Sequence, residues 1–221
     1  MAMFHPRLED LPPEFAVFPL TGALLLPRGK LPLNIFEPRY LAMVQDSLAT
    51  GRMFGMIQPD PHAAAAAQGD GLYRVGCLGR LSSFSETDDG RLLIALTGLI
   101  RFTIAAELEP RHGYRRVRGD FSKYVDDLTL DRPQVEIERE KILSALRAYF
   151  GQRKVDANWE AIRGLSDDTL VITLAMACPF EAVEKQALLE APTDTDRAAT
   201  LLALLQMGAA GPDLPPGHSV S

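Results

Sequence analysis

The sequence predicts an α+β protein with an antiparallel β-barrel over residues 1–124, a helical bundle over 125–208 and a disordered tail over 209–221. Three observations carry this. From Tyr73 to Tyr124 the apolar residues recur with the two-residue period of strands, and beyond residue 125 the period lengthens to that of helices. The charge changes at the same place. Residues 1–120 hold 13 Lys+Arg against 13 Asp+Glu and residues 121–221 hold 10 against 16, so the whole net charge of −6 falls in the second half.

Short strands are expected at 15–20, 23–26 and 31–36, at sheet edges or broken where Pro19, Pro27 and Pro32 remove a ladder donor. Pro38 suits the first turn of a helix over 38–50, with Glu37 at its start. Tyr40, Met43, Val44 and Ser47 form its buried stripe, and Gly51 stops it. A strand at 52–58 precedes PDPHAAAAAQGDG, where prolines and glycines bracket an alanine run too short to be a stable helix, so 59–71 reads as an exposed loop. Strands at 73–84, 91–98, 99–107 and 114–124 are separated by SETDDG, by Gly98 and by EPRHG. Asp89–Gly90 between two apolar runs signals a tight hairpin. Gly76, Gly79 and Gly98 read as points of close backbone approach.

In the second half Asp131 and Gln134 form a candidate capping box, with Pro133 in the first turn of a helix that continues to Gly151. A short helix follows at 156–163. Ser166 then caps one whose Leu170, Val171, Ile172, Leu174, Ala175 and Met176 make it apolar nearly all round, and therefore central. Helices at 180–190 and from Thr193 or Thr195 to Gly208 complete the bundle.

With 221 residues and 47% apolar content the chain can bury a substantial core. The start MAMFHPRLEDLPPEF lacks the basic, then apolar, pattern of a leader, and no apolar stretch approaches the roughly 20 residues that span a bilayer, so a cytoplasmic location without membrane association is expected. Cys77 and Cys178 form neither a C-x-x-C site nor a disulfide framework and read as core residues.

Catalytic patterns are missing. GALLLPRGKL imitates a phosphate loop, but six residues separate Gly22 from Gly29 and Leu31 stands where a metal-binding hydroxyl belongs. His5, His62, His112 and His218 are scattered, and Ser82, Ser83 and Ser85 lack a G-x-S-x-G setting. No catalytic residue, cofactor or metal ligand is expected. Glu37, Arg39 and Arg101 sit among Phe36, Pro38, Tyr40 and Phe102 and read as a charge-paired structural clamp, Arg101 meeting Glu37.

The run FPLTGALLLPRGKLPLNIFEPRYLAMVQDSLATGRMFGMI closely resembles the opening of the N-terminal, substrate-recognition domain of the Lon ATP-dependent proteases. VGCLGRL at 75–81, DDGRLLIALTGLIRFTI at 88–104 and EKQALLEAPTDTDRAATLLALL at 184–205 follow in that domain's order. The resemblance implies a PUA-like barrel and a non-catalytic protein- or peptide-recognition function. The ATPase and Ser–Lys peptidase modules of full-length Lon proteins have no counterpart among these residues. Expected partners are exposed apolar segments of unfolded proteins or a specific partner protein, with a protease in trans and self-association as further options. Leu24, Leu25, Leu26, Pro27 and Leu31 are the candidate peptide contacts, because consecutive leucines in a strand cannot all face one core. The alternative is RNA binding along the basic run 111–118, although alternation puts Arg116 and Arg118 on one strand face and Arg115 on the other, as in an edge defended by charge.

Overall fold

In the computed structural model, which describes residues 6–63, 71–129 and 135–210, the first strand β1 (Glu14–Pro19) lies between two partners. It pairs in parallel with β3 (Met53–Ile57) and antiparallel with β6 (Tyr114–Asp120). The sheet is thus mixed, not antiparallel throughout as the sequence suggested. A parallel pair needs a crossover, and β2 (Lys30–Ile35) followed by α1 (Pro38–Ala49) supplies it. With β4 (Val75–Glu86) and β5 (Leu92–Arg111) the strand order is β2-β5-β4-β3-β1-β6, and β5 also pairs with β6. That last pairing closes a ring of five strands. β2 lies on the first half of β5, outside the ring, as an edge strand containing Pro32, while Pro19 ends β1.

Aromatic rings fill the barrel. Phe15 meets Phe102 edge-on at 4.9 Å and stacks with Phe121 at 5.9 Å. A Cβ on Gly76 would stand 2.5 Å from the Phe102 ring, and one on Gly119 would stand 2.6 Å from Phe15, so the strands can carry these rings only where they lack side chains.

Residues 91–98 and 99–107 are one strand, because Gly98 does not turn the chain. It admits a neighbour: Arg28 N donates to Gly98 O at 2.8 Å, Gly98 N donates to Gly29 O at 2.9 Å, and a Cβ here would stand 2.0 Å from the Leu26 carbonyl oxygen. The segment 23–26, expected as a strand, is the irregular chain that lies against β5 at this point. The hairpin between β4 and β5 turns at Gly90, with φ +79° and its N–H donating to Thr87 O at 2.9 Å. α1 buries Tyr40, Met43, Val44 and Ser47, the stripe its spacing predicts. β6 ends at Asp120 and a 3₁₀ turn (Ser122–Leu128) follows.

Among the described residues five further helices follow, α2 (Arg139–Arg153), α3 (Trp159–Arg163), α4 (Asp167–Ala177), α5 (Ala182–Glu190) and α6 (Asp194–Ala210). The Asp131–Gln134 capping box and, of the tail expected at 209–221, the part from residue 211 lie outside the described residues, while residues 209 and 210 belong to α6. Asn158 caps α3, its side chain accepting from Ala161 N at 3.0 Å. Thr193 and Asp196 cap α6 reciprocally, with Asp196 N donating to Thr193 Oγ1 at 3.0 Å and Thr193 N to Asp196 Oδ2 at 3.1 Å.

The chain forms two compact units, and they are not divided by a single cut near residue 125. One comprises residues 1–133 and 176–190, the other 134–175 and 191–221. Helix α5 belongs with the barrel because buried polar groups hold it there. Gln186 Nε2 donates to Val75 O at 3.1 Å, Gln58 Nε2 to Ala182 O at 3.0 Å, and Lys185 Nζ to Gly22 O at 2.6 Å. In the second unit α2 packs on α6. Gly208 is helical rather than a stop: a Cβ there would stand 2.5 Å from the Tyr149 ring, and Arg153 Nη1 donates to its carbonyl at 2.9 Å.

Candidate recognition surface

The leucines singled out as peptide contacts face inward. Leu24, Leu25 and Leu26 are 2%, 1% and 0% exposed, Pro27 is buried and Leu31 is half-buried. The strand rule that would turn one of them outward does not govern an irregular segment. A Cβ on Gly79 would come within 2.7 Å of Leu25 Cδ2, which shows how closely this leucine seats on the sheet.

The expected clamp divides into two separate pairs. Glu37 pairs with Arg39 at 2.9 Å on the surface, with both side chains about half exposed. Arg101 is buried and pairs instead with Asp127 of the 3₁₀ turn. Its Nε reaches Asp127 Oδ2 and its Nη2 reaches Oδ1, both at 2.9 Å, while its backbone N–H donates to Oδ2 at 3.0 Å. Nη1 donates to Leu189 O of α5 at 3.3 Å, and the guanidinium lies 4.5 Å from the centre of the Tyr124 ring. Burial pulls the guanidinium toward neutrality, and the bonds and charge of Asp127 more than offset this, leaving its pKa above the ordinary value.

The basic run is engaged with the barrel's own acids. Arg116 and Arg118 both meet Glu14, at 3.6 and 2.7 Å, Arg115 meets Glu107 at 2.6 Å and Arg111 meets Asp46 at 3.3 Å. The two strand faces separate as alternation requires. Asp46 also accepts from the Tyr114 hydroxyl at 2.7 Å and lies 3.0 Å from His112 Nδ1. The Tyr114 bond first, then His112 and Arg111, hold the Asp46 carboxyl below its usual range. Burial and the same carboxylate push the Tyr114 phenol up to about 12.

A hollow of about 380 Å³ opens elsewhere on the first unit, where composition had suggested only a loop. Pro59, Asp60, Pro61 and Ala63, with Gly71 bonded beside them, line it together with Thr21 and Ala182. Buried Gln58 fixes these walls together, accepting from Gly22 N at 3.2 Å and donating to Ala182 O and to Gln186 Oε1 at 3.0 and 3.2 Å. Asp60 N donates to Gly71 O at 2.8 Å and Tyr73 N to Gln58 O at 3.0 Å, closing the segment's base like a short hairpin. Burial, then the charges of Asp60 and Glu190, raise the Tyr73 pKa. Val183, next to Ala182, is 60% exposed. Cys77 and Cys178 are buried, and among the described residues no group of three His, Cys, Asp or Glu could hold a metal. No helix among them is long and apolar enough to cross a membrane.

The model of the ATP-dependent protease La (LON) substrate-binding domain matches residues 14–207. The chain belongs to this family. It is 27% identical to Lon protease 1 of Bdellovibrio bacteriovorus over 198 residues, covering 86% of this chain and 24% of that protein. It is also 27% identical to Lon protease 2 of Myxococcus xanthus over 146 residues, covering 62% of this chain and 16% of the relative. The chain therefore spans a quarter or less of these Lon proteases. Its fold matches a Lon N-terminal domain protein from Xanthomonas campestris, with a TM-score of 0.59 at 23% identity over 86% of this chain and 97% of that one. The N-terminal domain of a Mycobacterium avium complex Lon protease aligns with a TM-score of 0.55 at 16% identity, over 90% and 98% of the two chains. The Lon substrate-binding fold is thus present over nearly the whole described length.

Proposed function

We propose that this chain is a polypeptide-recognition unit that binds exposed apolar segments of other proteins and does no chemistry on them. The observation that carries the reading is the match of a substrate-binding family over residues 14–207. The open hollow beside α5 supports it, since a concavity lined in part by proline and alanine is where an apolar side chain of an extended segment gains contact. Direct binding tests the proposal. A reduced and alkylated, permanently unfolded polypeptide should be retained by the immobilised protein, and the same polypeptide in its native fold should not. Equal retention of both forms, or of neither, overturns the reading.

A further inference from the structure

We infer that the hollow beside α5 receives an apolar side chain from an extended segment whose neighbouring residues are basic. This rests on the polypeptide-recognition reading and gives it a place and a chemistry.

The lining specifies an apolar occupant. Pro59, Pro61, Ala63 and Ala182 present carbon, and the prolines and the Gln58 bonds hold the walls in place before anything binds. Val183, next to Ala182 in sequence, is exposed. A folded partner or a second copy of this chain needs about 800 Å² on each side of a stable interface, far more than one small concavity and one valine offer. A short extended segment fits the area available.

The surroundings specify the charge. Asp60 lines the hollow, Glu181 and Glu184 flank Ala182 and Val183, and Glu190 shares the field at Tyr73 with Asp60. Among the described residues none of these four carboxylates forms an ion pair. The one lysine on α5, Lys185, is turned inward, with Nζ donating to Gly22 O and Met176 O at 2.6 and 3.4 Å. Four carboxylates without paired cations favour lysine or arginine beside the inserted side chain and oppose acidic segments. The arginine run 111–118, engaged with its own acids, exerts no comparable pull on an acidic partner.

Fluorescence anisotropy with three labelled peptides of equal length tests this. One carries central leucines flanked by lysines, one has glutamates in place of the lysines, and one has serines in place of the leucines. The first should bind, and about tenfold more weakly as salt rises from low to high, while the other two should not bind. Thr21→Trp fills the hollow from an exposed position and should abolish binding; Asp60→Lys and Glu181→Lys should each weaken it about tenfold, with melting unchanged in all three. Wild-type affinity in all three folded variants overturns the inference, as does equal binding of the lysine and glutamate peptides. Failure of the wild type to bind the leucine and lysine peptide overturns it too. In each of these cases retention of the unfolded polypeptide still upholds the broader reading, so the two fail separately.

Discussion

Two arginine–carboxylate pairs, nearly identical in distance, occupy opposite environments in the barrel unit. Arg101–Asp127 has side chains 6% and 3% exposed, whereas Arg39–Glu37 has 51% and 45%. Each makes a contact of 2.9 Å. What separates them is the consequence of losing one member. Water takes over at the surface pair and cannot do so at the buried one. A third cluster, Asp46 with Tyr114 and His112, stands between them, its carboxylate 26% exposed. These three sites form a series in burial at similar chemistry.

The buried end of the series should show the largest effect. Arg101→Ala or Asp127→Ala leaves an uncompensated charge in the interior, at a cost of about 3–5 kcal/mol. Melting should fall by about 10 °C in either variant. The double variant Arg101→Ala with Asp127→Ala removes both charges, so it should lose clearly less than the two single alanine effects added together. Additive losses measured by thermal unfolding would show that burial does not couple these residues.

The same residues show what the sequence could and could not reveal. The stripe on α1 was legible because helical neighbours lie three and four positions apart, and Pro38 and Gly51 mark the helix's ends locally. Most strands were legible for a similar reason. Asp127 as the partner of Arg101 was not, because 26 residues separate them and the pairing exists only once the 3₁₀ turn folds against β5. Glu37 was the nearer-seeming candidate by its apolar neighbours in sequence, yet the structure leaves it on the surface. Gly98 carried the right signal, close approach, and also a misleading one, a turn. The placement of α5 with the barrel rests on Gln58, Lys185 and Gln186, buried polar residues that periodicity treats as solvent-facing. The hollow escaped notice because Pro59, Pro61 and Gly71 signal a loop whether or not that loop encloses space.

At the intermediate site pH should report the effect. Asp46 has a folded pKa below its ordinary value of 3.8, so its contribution is present above that value and is lost as pH falls through the lowered one. Tyr114 is shifted the other way, from 10.0 to about 12, so its contribution is complete below pH 10 and is lost between there and about 12. Tyr114→Phe removes a hydrogen bond to a charged group and should cost about 1–2 kcal/mol at neutral pH. The stability gap between wild type and Tyr114→Phe should narrow toward both extremes. A gap that stays constant from strong acid to strong alkali would mean that the bond to Asp46 contributes nothing.

The exposed end should barely respond, and the direction of its small effects is itself informative. Glu37→Ala removes a partner that water replaces, so stability should change by less than about 0.5 kcal/mol. Arg39→Ala should cost slightly more, because the guanidinium also lies 4.5 Å from the centre of the Tyr40 ring, a contact worth about 0.5–1 kcal/mol at exposed sites. With the carboxylate gone Arg39 can keep that ring contact; with the arginine gone both interactions vanish. Chemical denaturation of the two single variants and the double should therefore place Arg39→Ala and the double variant together, with Glu37→Ala nearer wild type. A larger loss for Glu37→Ala than for Arg39→Ala would invert that order. It would show that Glu37 stabilises the start of α1 by something other than its pair with Arg39, and exposure would no longer rank these sites.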